Sequence, residues 1–327
     1  MSTPTALTNR QRAAILFVAF SGLMGAGFQL GLMPLASLSI SRDLLGEAVA
    51  PGLAGDWFAR FTAALMLGGA FGGIFLGSLG DRIGRARATG ISILILSLAG
   101  AAGAFATSQE QLLVLRFLTG LGVGGMWPNG VALVSECWTS ATRPMVAGII
   151  GTGMNIGILC VSQLGRFRAV TADSWRWLVE FGAVFAVIGL VAVTILPESP
   201  RWLASRGSRT DKTEVPLREL LRPPLLRITI IGILLGSIPL IGAWAASKWM
   251  IPWADAVGGV ERAGYKASTQ GWWAVGAIIG SFFGSHVANL LGRRLSYFLI
   301  SLGSVTLTCG IFLFSLSLIH ISEPPRL

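Results

Sequence analysis

Charged side chains are scarce in this sequence. Only 12% of its 327 residues are Asp, Glu, Lys or Arg, against 53% hydrophobic residues. The mean hydropathy of +0.70 excludes an ordinary soluble globular protein. Histidine and cysteine are rarer still: His286 and His320 stand alone, and Cys137, Cys160 and Cys309 lie in or beside apolar segments. Their spacing gives neither a metal-ligand pattern nor a paired framework, so no metal site, disulfide or catalytic thiol is expected. The sequence also lacks a Walker motif, an H-E-x-x-H and a G-x-S-x-G. An ATP-driven pump or an enzyme therefore has no chemistry to run on, and neither catalytic residues nor a cofactor are expected. G-x-G triplets do occur within Gly120 to Gly125 and Gly151 to Gly157, but inside apolar runs that offer no strand and no water-facing phosphate site.

Long hydrophobic runs and 43 glycines are what the chain has instead. A membrane span needs about 20 apolar residues to cross roughly 30 Å of hydrocarbon. Nine segments qualify: Ala13 to Leu35, Trp57 to Leu79, Ala88 to Thr107, Leu112 to Val134, Met145 to Leu164, Trp177 to Leu196, Ile228 to Met250, Thr269 to Leu291 and Leu295 to Phe314. Glycine suits helices that pack through small residues, and Gly276, Gly280 and Gly284 repeat as a helix-contact face would. Pro34, Pro128 and Pro239 predict kinks or helix ends, and Trp57, Trp175 and Trp177 read as interface anchors. The first segment is too long, and too poor in a small-residue cleavage site, for a removable signal.

The chain is organised around GSLGDRIGRAR, Gly77 to Arg87, where one apolar segment gives way to an acid and three arginines before the next begins. Gly73, Gly77 and Gly80 allow close helix approach. Asp81 is tolerable at an interface beside Arg82, Arg85 and Arg87. The pattern from Gly77 through Asp81 and Arg82 to Gly84 and Arg85 resembles the signature loop of the major facilitator superfamily of secondary transporters. The resemblance implies that this loop joins the second and third helices on the cytoplasmic side and helps latch two halves together. Three further strings support it. R-F-L-T-G-L-G-V-G-G, from Arg116, resembles the family's fourth-helix signature, whose arginine is linked to proton coupling. Glu136 and Arg143 match the E-x6-R of sugar-porter-like and metabolite-proton-symporter-like members, without the usual intervening proline. Trp175-Arg176-Trp177 opens the sixth segment, and PESPRWL, Pro197 to Leu203, follows it. By resemblance, Glu136, Arg143, Glu198 and Arg201 form a cytoplasmic charge network that holds the outward-facing state.

The loop basic residues fall mainly on the side that holds the N-terminus if that terminus is cytoplasmic, and this predicts the orientation. The same loops absorb most of the +10 charge, so the lipid bilayer rather than nucleic acid is the expected partner. Residues 1–196 then form a six-helix half, 197–227 a cytoplasmic linker, and 228–315 a partial second half of about three helices. A shift of 208 places Asp81 on Asn289, Gly84 on Gly292 and Arg85 on Arg293, an internal echo of two-half transporters in which the acid is lost. The resembled family has twelve helices in two groups of six. The chain is thus expected to lack the last three, with residues 316–327 a foreign tail of the kind a sequencing adaptor leaves.

Within the segments, Arg116 is the costliest residue, at about 2.5–3.5 kcal/mol on insertion scales. It either faces a cavity or snorkels to the outer interface, and at 100° per residue it shares a face with Gly120 and Trp127. Candidate cavity residues are Gln29, Trp127, Asn129, Asn155, Gln163, Trp244, Lys248, Trp249, Gln270 and Trp273, with Asn155 nearest the middle of its segment. Arg116 and Lys248 are cations, and the first segment carries no acid, which favours an anionic substrate and departs from many proton-coupled relatives. The expected protein is an all-α polytopic carrier in the cytoplasmic membrane, not an enzyme. It is a monomer that moves a small polar metabolite, an organic acid or a sugar, by alternating access with a co-transported proton. An uncoupled facilitator, a transporter-like sensor and an inactive fragment are the alternatives.

Overall fold

The computed structural model describes residues 7–46, 48–138, 143–207, 222–258 and 264–322. In chain order the described helices are α1 (Asn9–Leu45), α2 (Pro51–Ile83), α3 (Arg85–Ala102), α4 (Gln109–Cys137), α5 (Arg143–Phe167), α6 (Arg176–Phe181), α7 (Phe185–Thr194), α8 (Pro200–Gly207), α9 (Leu225–Gly258), α10 (Tyr265–Leu291) and α11 (Arg293–Ser322). All nine predicted segments are helical. Most run several residues beyond their apolar cores, because helical hydrogen bonding does not stop where hydropathy falls. The sixth is split, with a 3-10 turn at Gly182–Val184 joining α6 to α7. Of the expected linker at 197–227, residues 197–207 and 222–227 are described, α8 among them.

Among the described residues seven helices are long and apolar enough to cross a bilayer, one of them composed of α6, the 3-10 turn and α7. The described parts of α9 and α10 do not reach that measure; in α9 the apolar stretch Leu225–Ile238 is shorter. Residues 1–211 with 251–282 form one compact unit, and 212–250 with 283–327 another.

In the first unit α1 is the central post. It is buried almost continuously from Ile15 to Ser41, against α2, α3, α4, α5 and α7. Its many Gly, Ala and Ser residues let neighbours approach from every side, as expected of a helix without a polar face. Thr8 starts it with a reciprocal capping box: its hydroxyl accepts the Gln11 N–H at 3.3 Å, and Gln11 Oε1 accepts the Thr8 N–H at 2.9 Å. A tight seam joins α2 to α4. A Cβ at Gly72 would overlap the Leu121 carbonyl, and one at Gly124 the Gly69 carbonyl, so only glycine permits this approach. Outside the seam α2 presents Leu67, Phe71, Ile74 and Phe75 outward, the exposed apolar belt of a helix that meets lipid.

Three expectations need correction. Trp57 and Trp175 are buried rather than outward-facing anchors, because each finds a partner inside the first unit: Trp57 lies against Phe61 in a tilted ring pair, and Trp175 donates to Asp43. A Cβ at Gly276, Gly280 or Gly284 would meet no described atom within 4 Å, so these glycines form no contact face among the described residues. Of the two outcomes expected at the prolines, helix ends are not found: α1, α4 and α9 continue through Pro34, Pro128 and Pro239.

Candidate functional site

The Gly84 turn is where the signature loop becomes geometry. Gly84 alone separates α2 from α3, at φ +115°, a conformation that side chains resist. Gly84 has no side chain to cap α3, so the first amides of that helix need an acceptor from elsewhere. Glu198, from PESPRWL, supplies it: Oε2 accepts the Ala86 N–H at 3.1 Å and Oε1 the Arg87 N–H at 3.1 Å. A carboxylate at a helix amino end also meets the positive pole of the helix dipole.

Charges gather round this cap. Arg85 donates to Asp81 Oδ1 at 2.5 Å and lies 3.7 Å from Glu136 Oε1, at the far end of α4. The Ser199 hydroxyl donates to Glu136 Oε2, and its oxygen accepts the Trp202 N–H at 3.2 Å, which caps α8. Trp202 Nε1 donates to the Asp81 carbonyl at 2.9 Å. Asp81 is 62% exposed, so its ion pair contributes no more than about 1 kcal/mol and serves position rather than stability. Gly77 packs beside Pro128, while Asn129, a cavity candidate, donates to the Leu76 and Gly125 carbonyls and holds α2 to α4. Arg82 and Arg87 are exposed.

Of the expected network of Glu136, Arg143, Glu198 and Arg201, three members are described with their side chains. Among the described residues Arg85 reaches Glu136, Glu198 accepts from backbone amides and meets no arginine, and Arg201 is exposed with no ion pair. The Arg143 side chain lies outside the described part. The uncapped Gly-Arg start of α3 was the available sequence signal for an outside acceptor, but it did not reveal which residue would supply it.

Deep in the first unit, Arg116 is 2% exposed and does not snorkel. Its NH1 donates to Gln29 Oε1 at 3.1 Å and its NH2 to the Gln29 carbonyl at 2.8 Å. The face shared with Gly120 and Trp127 is not realised as one lining. Gly120 packs on the Leu65 carbonyl of α2, and Trp127 is half-exposed. Gln270 is buried and donates to the Gly31 carbonyl at 3.0 Å, and Asn155 donates to the Ser281 hydroxyl at 3.1 Å, so both tie α10 to the first helices. Gln163 is exposed. Lys248 is buried with its ammonium 4.8 Å from the Trp244 ring centroid, a cation–π contact in the second unit.

The internal echo has a backbone counterpart. Gly292 alone separates α10 from α11 and has φ +79°, as Gly84 does between α2 and α3. The side chains of Asn289 and Arg293 lie outside the described part. At the opposite end of the first unit from Gly84, Asp43 accepts from Trp175 Nε1 at 3.0 Å and Arg176 NH1 at 2.6 Å, joining α1 to the start of α6. Nothing in the sequence marked Asp43 as the partner of that Trp-Arg pair.

The family model described as Major Facilitator Superfamily matches residues 15–322. The chain belongs to this superfamily. It is similar to the 4-hydroxybenzoate transporter PcaK of Pseudomonas putida, with 33% identity over 182 residues, 54% of this chain and 40% of that protein. It is also similar to the probable metabolite transport protein CsbC of Bacillus subtilis, with 29% identity over 209 residues, 63% of this chain and 43% of that protein. The aligned chain thus spans about two fifths of the length of these curated relatives. Among solved structures, the inward open xylose transporter XylE from E. coli shares its fold, with a TM-score of 0.58 at 18% identity, over 86% of this chain and 69% of that one. An all-α polytopic transporter fold follows, and no enzyme is found among these relatives.

Proposed function

We propose that the chain serves a carrier of small organic acids that works by alternating access in the cytoplasmic membrane, with its N-terminus on the cytoplasmic side. The observation that carries the acid reading is Arg116, a buried cation whose bonded partners are both neutral. Such a group favours an anionic ligand over a sugar or an amine. PcaK is a 4-hydroxybenzoate transporter, and 4-hydroxybenzoate is a carboxylic acid, which supports the same choice. In this reading the Asp81–Arg85–Glu136 cluster, braced by Glu198 and Ser199, biases which side of the carrier opens.

Proton symport is the weaker coupling mode. Gln29 is an amide that takes up no proton, and no Asp or Glu stands among the buried residues described. Uptake of labelled 4-hydroxybenzoate into proteoliposomes tests the proposal. Saturable uptake, competed by benzoate and not by xylose, is expected, with similar rates whether or not a pH gradient is imposed. Xylose competition would refute the acid reading, and binding without flux would favour a sensor.

A further inference from the structure

The Arg116–Gln29 pair is chemically incomplete. A guanidinium has five N–H donors and no acceptor, so the Gln29 amide must turn its oxygen toward Arg116, as it does at 3.1 Å. Its nitrogen then points elsewhere. Both Gln29 Nε2 and Arg116 Nε are buried donors without an acceptor among the described residues. Gln29 is 0% and Arg116 2% exposed.

The charge is equally unanswered. Ion pairs among the described residues join Asp81 or Glu136 to Arg85, Asp43 to Arg176 and Asp255 to Lys266, and none reaches Arg116. The buried polar residues described around the helices include Ser, Thr, Gln and Asn but no carboxylate. A buried cation that has only neutral partners is strongly unfavourable unless a counter-ion joins it. Gly100 and Gly182 flank the Gln29 amide, and a Cβ at either would crowd Nε2.

We propose that Arg116, set in place by Gln29, is a buried binding site for one compact anion, and that this anion supplies the counter-charge that no described residue provides. The ligand chemistry is a carboxylate group or a halide. The carboxylate alternative deepens the organic-acid reading above by naming the subsite; the site itself does not depend on it.

The test is thermal unfolding of the purified full chain in detergent, in a bulky sulfonate buffer, with chloride, benzoate or 4-hydroxybenzoate added at constant ionic strength. In the wild type at least one anion raises the melting temperature in a saturable manner. Gln29→Glu places a carboxylate against the guanidinium, so it melts higher than wild type without added anion. Its half-saturating anion concentration rises at least about tenfold, as expected when 1.4 kcal/mol or more of anion binding is lost. Gln29→Asn, still an amide, keeps a response. Arg116→Met loses it, and if that variant does not fold, Gln29→Glu carries the comparison alone. No saturable response in the wild type, or an equal response in wild type and Gln29→Glu, overturns the site.

A response to the two benzoates but not to chloride identifies a substrate carboxylate, and a response to chloride as well identifies a free-ion site. Sugar uptake by a chain that still shows the anion response would remove the organic-acid reading and leave the site standing.

Discussion

Removing the Glu198 carboxylate takes both acceptors from the amino end of α3 at once. The two N–H bonds at 3.1 Å are charge-assisted, a class that contributes about 1.5–3 kcal/mol each. Glu198 is only partly buried and the freed amides can find water, so a joint loss of about 2–3 kcal/mol is the reasonable figure. At about 1.4 kcal/mol per tenfold, Glu198→Ala should speed amide hydrogen exchange at Ala86 and Arg87 by roughly 30- to 150-fold. Glu198→Gln keeps one neutral oxygen and should raise it about tenfold. Exchange would be followed by mass spectrometry on peptides spanning residues 84–90 in detergent. Arg201→Ala is the internal control, because that side chain is exposed and ion-paired with nothing described. If Glu198→Ala leaves the peptide within about twofold of wild type, the cap is not what holds this end of α3, and the argument built on Gly84 falls with it.

Gly84→Ala combines a forbidden backbone angle with a Cβ driven into the Glu198 carboxylate, and should lower stability by at least about 1–3 kcal/mol, seen as a drop in detergent melting temperature. Asp81→Asn should cost less than about 1 kcal/mol of stability yet slow uptake in proteoliposomes; unchanged uptake would count against the loop as a latch. Gly124→Val should separate α2 from α4 and cost about 3 kcal/mol or more, as overpacking against backbone does, with poor expression and early melting as its signs. Glu136→Gln should release Ser199 and Arg85 together, so a double-mutant cycle with Ser199→Ala should show a coupling of about 0.5–3 kcal/mol; strict additivity would deny the link.

The helices were legible because apolar length is a local property, and the sharp break at Gly77 to Arg87 marked a turn without any tertiary knowledge. The echo at Gly292 was legible for the same reason: a glycine between two apolar runs specifies a backbone angle by itself. Partners were not. Glu198 pairs with amides 112 and 111 residues away, and Trp175 with an acid 132 residues away, so neither partner can be read from the local charge pattern. The burial of Arg116 was foreseen as one of two outcomes, but its neutral partner depends on how α1 lies against α4. Periodicity misled at Trp127, since a face of one helix need not meet a single neighbour.

The glycine seam has a mechanical consequence. Where two helices touch carbonyl to Cα, no side chain can change rotamer to let one slide past the other, so α2 and α4 form a stiff two-rod beam. That beam has Glu136 near one tip and Arg116 about 30 Å along it. A push delivered at the Gly84 turn is therefore expected to reach the buried guanidinium as a tilt of the whole beam.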